Sequence, residues 1–367
     1  MATAIRELRE GWGWSQTRLA EAVCDAAGRD TVTRETISRW ESGKRKPGSF
    51  WRPHLATALR VPLDALEAAR VDRRRFLMAA TGVSVAPMIA SDLLAAGFAA
   101  ADARRTTDDW DAVLDDYGRT YMRQGVVGIR DRLTVDMVAI QQSLAEPRAW
   151  AVASVLAVLF AKTMPLGDHA TAVQWYRRSA ALADRSEDVK TRVWVRGRAA
   201  LALAYDRSDV DTADLLATQA LALDETPAVG RLSAHLAASH VAAVRGDARA
   251  AADHLTDARR AFDAAGVDDT SSDFNMPWWR FGIFTSGAAA RTGDEQTALA
   301  AQEEAETSIP SGHDRYRTHL DMHRGLMLAK AGDQRGGVSH ATTALNQLPA
   351  PQRSVTLRRL AEEVRSA

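Results

Sequence analysis

The chain has 367 residues, 47 Lys and Arg balanced by 47 Asp and Glu, and one cysteine. That length exceeds one ordinary core and calls for two domains or a domain plus a repeat array, and the lone Cys24 excludes an internal disulfide framework and suits a reducing, cytoplasmic compartment. Residues 1–75 hold 15 Lys and Arg against 10 Asp and Glu, so a basic head precedes an acidic body, as fits a DNA-binding module with a separate body.

In chain order, Thr3–Glu10 patterns as a short helix with Ile5 and Leu8 on one face. Ser15 is a good N-cap for a second helix opening at Gln16 and Thr17. Thr31 and Thr33 are cap candidates for a third helix over Arg34–Glu41, which Gly43 closes. The basic run Lys44-Arg45-Lys46-Pro47-Gly48 follows, then a helix over Phe50–Leu59 and another over Leu63–Ala69, opened by Pro62.

Three stretches carry a resemblance: Ser15-Gln16-x-x-Leu19-Ala20, then Thr36-Ile37-Ser38-Arg39-Trp40-Glu41-x-Gly43-Lys44-Arg45-Lys46-Pro47, then Leu55-Ala56-x-Ala58-Leu59-x-Val61-x-Leu63-x-x-Leu66. Over residues 3–69 the chain resembles the Xre family of regulators. The resemblance implies a lambda-repressor/Cro-like five-helix domain, occupying residues 1–70, that binds double-stranded operator DNA. The distance from Leu19 to Ile37 is longer than the family's usual spacing, so extra residues near Cys24–Thr31 must sit at the end of the second helix or in the turn.

A recognition helix reads base edges in the major groove with its N-terminal residues. With Ile37 and Trp40 turned to the core, Arg34, Glu35, Ser38 and Arg39 face outward. Arg34 suits a bidentate contact to guanine, and Thr33 and Ser38 suit bases or phosphate. The resemblance gives Gln16, beside Thr17, a phosphate or base contact, and Glu41 a role in holding the fold. Lys44, Arg45 and Lys46 are candidate phosphate contacts, contributing affinity and salt dependence. Trp12 and Trp14 are expected to pack the domain.

Residues 71–105 read as a linker. Its Asp72-Arg73-Arg74-Arg75-Phe76-Leu77 and following apolar run look like a twin-arginine export signal, but a whole domain precedes them. Gly82 and Pro87 interrupt the run and Asp92 ends it, short of a membrane span.

Residues 106–367 show helix-length, alanine-rich segments and no strand alternation. A small residue followed by Asp recurs at Gly167-Asp168, Ser208-Asp209, Gly246-Asp247, Gly293-Asp294 and Gly332-Asp333. Five residues after each first member stand Ala172, Ala213, Ala251, Ala298 and Gly337; twelve after it stand Ser179, Ala220, Ala258, Ala305 and Ala344. Pro310 and Pro349 follow the last two. These offsets resemble the tetratricopeptide pattern, in which Gly-Asp makes the inter-helix turn and small residues let paired helices cross closely. The expected fold class is therefore all-α, a DNA-binding head followed by an α-solenoid. Residues 107–145 should add a further helical pair, and Ser354–Arg365 a capping helix.

A solenoid of helix pairs has a concave groove suited to a peptide, a small molecule or a protein partner. The aromatic-dense Phe274–Phe281 supplies candidate ligand contacts in Asn275, Trp278, Trp279, Arg280 and Phe281, with core packing as the alternative. His313, His319, Asp321 and His323 cluster in sequence, but no third ligand is fixed and no metal or cofactor is expected. No phosphate loop, HExxH, GxSxG or nucleophile beside a base is present, so an enzyme is not expected. A head and body of these types resemble peptide-sensing quorum regulators and regulators of actinobacterial development and antibiotic production, which implies a homodimeric, ligand-responsive regulator. Peptide sensors of this kind often clamp their ligand with several asparagines, whereas this chain has only Asn275 and Asn346. The competing reading is an interaction scaffold with a weak, sequence-indifferent DNA-binding head.

Overall fold

The structure, a computed structural model, describes Ile5, Arg6, Arg9 and residues 14–59, 107–165, 168–266 and 272–367. The chain divides into two units, Met1–Ala95 and Ala96–Ala367. The helix expected over Leu63–Ala69, the linker with its twin-arginine-like run, and most of Thr3–Glu10 lie outside the described residues. The described residues are overwhelmingly helical and contain no strand.

In the first unit, α1 spans Gln16–Ala27, α2 Arg34–Glu41 and α3 Trp51–Leu59. The Ser15 hydroxyl accepts the Arg18 N–H and caps α1; the Thr33 hydroxyl accepts the Thr36 N–H and caps α2. Their inward faces meet in a core of Ile5, Leu19, Val23, Ile37, Trp40, Leu55 and Leu59, so Ile37 and Trp40 pack as expected.

The lengthened spacing is absorbed by extending α1 to Ala27 and lengthening the turn. Gly28 ends the helix at φ 62°, a left-handed conformation that favours glycine, and Arg29 N–H reaches back to the Cys24 carbonyl at 3.2 Å. Buried Val32 anchors the far end of the turn, with the Cys24 thiol donating to its carbonyl at 3.4 Å. His54 Nδ1 lies 3.1 Å from the Ala26 carbonyl oxygen and ties α3 to the end of α1.

In the second unit, α4 spans Thr107–Gln124 and α5 Arg130–Ile140, the further pair expected there. Five helical hairpins follow. They are α6 Pro147–Lys162 with α7 His169–Asp184, α8 Val189–Tyr205 with α9 Val210–Leu223, α10 Val229–Val244 with α11 Ala248–Ala265, α12 Trp278–Thr292 with α13 Glu295–Ser308, and α14 Asp314–Lys330 with α15 Gln334–Gln347. The first helices of successive hairpins pack on one another, and α16, Val355–Ser366, covers the last hairpin with Leu357, Leu360, Ala361 and Val364.

The recurring small-residue–Asp pair marks the turn within the last four hairpins; Gly167 of the first lies outside the described residues. Asp209, Asp247, Asp294 and Asp333 are N-caps whose carboxylates accept backbone N–H groups three residues on, each worth about 1 kcal/mol. Asp168 holds the cap position without such a bond. The recurring small residues lie where the paired helices cross: Ser179, Ala213, Ala220, Ala258, Ala298 and Ala305 are fully buried. At the α14–α15 crossing, a Cβ on Gly337 would collide with the Gly325 carbonyl oxygen.

The stack curls until its ends meet. Arg315, on α14, donates to the Tyr121 carbonyl of α4 at 3.0 Å, and the Tyr316 hydroxyl lies 3.1 Å from Met122 Sδ.

Candidate nucleic-acid interface and buried cationic centre

The α2 helix divides its residues sharply. Ile37, Trp40 and Glu41 are buried, while Thr33, Arg34, Glu35, Ser38 and Arg39 are exposed, as are Lys44, Arg45 and Lys46 beyond it. Among the described residues, no ion pair involves Arg34, Arg39, Lys44, Arg45 or Lys46. The basic loop is held at both ends: Arg45 N–H donates to the Arg39 carbonyl at 3.1 Å, and Arg52 Nε donates to the carbonyl of buried Pro47 at 3.1 Å. Its cations are thus held beside the outward face of α2.

Glu35 sits in the first turn of α2, where its own backbone N–H and the Thr33 hydroxyl hold its carboxyl below the usual range. An ionised carboxylate there can accept from a cytosine amino group and repels phosphate. Thr17 is exposed at the start of α1. Gln16 is half-buried and turned inward: its amide donates to Glu41 Oε2 at 2.8 Å. Arg9 Nε donates to Glu41 Oε1 at 2.6 Å and Arg9 Nη1 to the Trp14 carbonyl at 2.7 Å. Glu41 is therefore a buried clasp joining the start of the domain, α1 and α2, and Gln16 serves that clasp.

The second unit contains a denser polar centre. The Ser272–Pro277 segment enters against α4, where Asp273 N–H donates to the Gly118 carbonyl at 3.1 Å. The fully buried Asp273 carboxylate meets Lys162 Nζ at 2.6 Å, Arg280 Nη2 at 2.6 Å and Arg198 Nη2 at 3.3 Å. Burial opposes ionisation of Asp273, but Lys162, Arg280 and Arg198 overcome it and hold the carboxyl well below its usual range. Burial, reinforced by Arg198 and Arg280, pulls the Lys162 ammonium down to about 7 against the pull of Asp273. A cavity of about 180 Å³ adjoins this centre, lined by Lys162, Arg198, Arg280 and Arg315 among its charged residues and by Leu201, Ile283 and Phe284 among its apolar ones.

Of the five aromatic-segment candidates, only Arg280 lines that cavity. Asn275 accepts from Arg280 through its backbone carbonyl at 3.3 Å. Trp278 stacks on Phe281 at 5.4 Å and against Phe262, and Trp279 packs edge-on against Tyr316 at 4.8 Å. Trp279 and Phe281 are buried and Trp278 is half-buried, so the aromatic density is hairpin packing. Lys162, Arg198, Asp273 and Arg315 were not anticipated. Arg198 shares its helix with Lys190, Arg192 and Arg196, so nothing in the sequence singled it out.

The histidine cluster on α14 is engaged in a hydrogen-bond network. His319 Nδ1 and His323 Nε2 share the Tyr205 hydroxyl at 2.8 and 3.0 Å, and His323 Nδ1 meets Ser286 Oγ at 3.1 Å. Burial, with Arg315 and Arg280, pulls His319 down to about 3, so it is neutral near pH 7. A different group, His235, His254 and Asp257 across α10 and α11, brings its donor atoms within 4.8 Å of one another and could hold a metal ion.

Residues 5–49 match the helix-turn-helix family model. No curated protein and no solved structure matches the chain. The match and the exposed face of α2 define an Xre-like helix-turn-helix domain, and with it the class of the chain, a DNA-binding regulator. Among the described residues no helix is long and apolar enough to cross a membrane.

Proposed function

We propose that the chain is a cytoplasmic, sequence-specific transcription regulator that binds a near-palindromic operator as a homodimer, its tetratricopeptide-like body sensing a ligand and performing no catalysis. The observation that carries the DNA reading is the outward face of α2, with Arg34, Ser38 and Arg39 beside the uncommitted cations Lys44, Arg45 and Lys46. The base-facing residues supply discrimination, and the loop cations supply salt-dependent affinity. Residues 1–70 form the head in this reading, and residues 106–367 the sensor.

The sensor reading rests on the cavity beside Asp273. A ligand acts there by binding one arrangement of the dimer more tightly than the other. The cavity volume favours a small molecule over a whole peptide.

The test is a gel shift on the DNA upstream of the gene, at two salt concentrations. Arg34→Ala or Arg39→Ala should reduce discrimination against unrelated DNA, whereas Lys44→Ala should weaken both complexes alike. Binding that is sequence-indifferent in the wild type and vanishes at moderate salt would instead favour an interaction scaffold.

A further inference from the structure

We propose that the cavity takes a small organic anion, a carboxylate or phosphate head on a compact apolar body, held by Lys162, Arg198 and Arg315. The inference rests on reading the helical body as a sensor and names the chemistry of what it senses.

The charge around the cavity is unbalanced. Arg291, deeper in the body, is matched by Glu363 at 2.7 Å, and Arg359 at the cavity edge by Asp206 at 3.8 Å. Lys162, Arg198 and Arg280 instead share, among the described residues, the single carboxylate of Asp273. Arg315, 9% exposed, has no carboxylate within ion-pair distance among the described residues and donates to the Tyr121 carbonyl and the Tyr316 hydroxyl. A buried surplus of positive charge is costly unless an anion offsets it. Arg198 adds a second, independent sign: it is 3% exposed, lines the cavity, and its Nε has no acceptor. Buried donors normally find partners, so this guanidinium at the cavity keeps unused donor capacity.

The rest of the cavity sets the body of the ligand. Leu201, Ile283 and Phe284 give it an apolar wall. Its volume of about 180 Å³ compares with the roughly 150 Å³ that accommodates benzene in an engineered cavity. One ring or a short branched chain fits behind the charged head. The first residues of α16, Val355 and Thr356, also border the cavity, so the positive end of that helix faces the same space.

Lys162 is faced by Tyr121 of α4, Arg198 of α8, Asp273, and Arg280 of α12. An added anion favours its ammonium form, so binding above neutral pH draws in a proton.

Calorimetry on the full chain with benzoate, phenyl phosphate and neutral benzamide tests the proposal. At least one anion should bind, with benzamide at least tenfold weaker, and the preferred anion identifies the head group. Lys162→Met should weaken anion binding at least tenfold while leaving the unliganded protein no less heat-stable, because it removes a surplus charge. Arg315→Met provides the same binding test should Lys162→Met fail to fold. The proposal is overturned if neither anion binds, if benzamide binds as well as the anions, or if folded variants keep wild-type affinity. Equal binding of benzamide would leave the sensor reading intact. An anion that binds as expected but leaves operator affinity unchanged would defeat the sensor reading alone.

Discussion

Each unit is built around a buried carboxylate, and the two are satisfied in opposite ways. In the head, among the described residues, Glu41 meets one guanidinium, Arg9, and one neutral amide, Gln16. Charge is matched and the residual acceptor capacity is filled by a neutral donor. In the body, Asp273 meets three cations at once, with Arg315 nearby on the same cavity wall. A matched buried pair fixes where segments sit and asks for nothing more. An oversupplied one retains attraction for a further anion, so stoichiometry separates a structural clasp from a binding centre even where burial is the same.

The sharpest way to break this contrast is Asp273→Asn, which removes the one anion the cluster has. It should destabilise the body by roughly 3–5 kcal/mol, read as a drop in its thermal transition. Glu41→Gln keeps the shape and most hydrogen bonds of the head's clasp, so a smaller loss of roughly 2 kcal/mol is expected there, read by amide hydrogen exchange in α1 and α2. Acid should separate the units in a similar range. His319 is held at about 3 in the folded body, while an unfolded histidine takes up a proton below about 6.5. The unfolded chain therefore binds more protons between those values, and stability falls with pH across that window. From pH 7 to pH 5 this one residue accounts for about 2 kcal/mol. The head's clasp of Arg9, Gln16 and Glu41 holds no imidazole, so the body should soften first. Arg34→Ala should cost about 1–3 kcal/mol of operator binding with no change in either unit's melting. The smallest effect belongs to Asp247→Ala, about 1 kcal/mol from a lost cap, with no change in DNA or anion binding.

Much of this architecture was legible because it is local. Ser15 and Thr33 are N-caps, the recurring Asp residues open the second helix of each hairpin, and the small residues at fixed offsets mark the crossings. Each of these acts within a few residues of itself, so periodicity and cap chemistry expose it. The outward set on α2 was legible for the same reason, since Ile37 and Trp40 orient an eight-residue helix. Gln16 was harder, because its partner Glu41 lies 25 residues on. Of the cationic centre only Arg280 was legible, because Lys162, Arg198, Asp273 and Arg315 join it only when the stacked hairpins curl round. The aromatic segment misled in the opposite direction. Trp278, Trp279 and Phe281 are conspicuous in sequence because they fill the space around α12.

The meeting of α4 with α14 has a consequence for how such a protein can evolve. An open solenoid gains or loses a repeat cheaply, since each repeat touches only its neighbours. Here Tyr121 and Arg315 are nearly two hundred residues apart in the chain yet in contact, and the cavity draws its wall from both ends of the stack. Deleting or duplicating any one hairpin would move those ends out of register and open the wall. The number of hairpins is thus locked by the closure, and divergence in such a body is confined to side chains, loop lengths and the outer faces of its second helices.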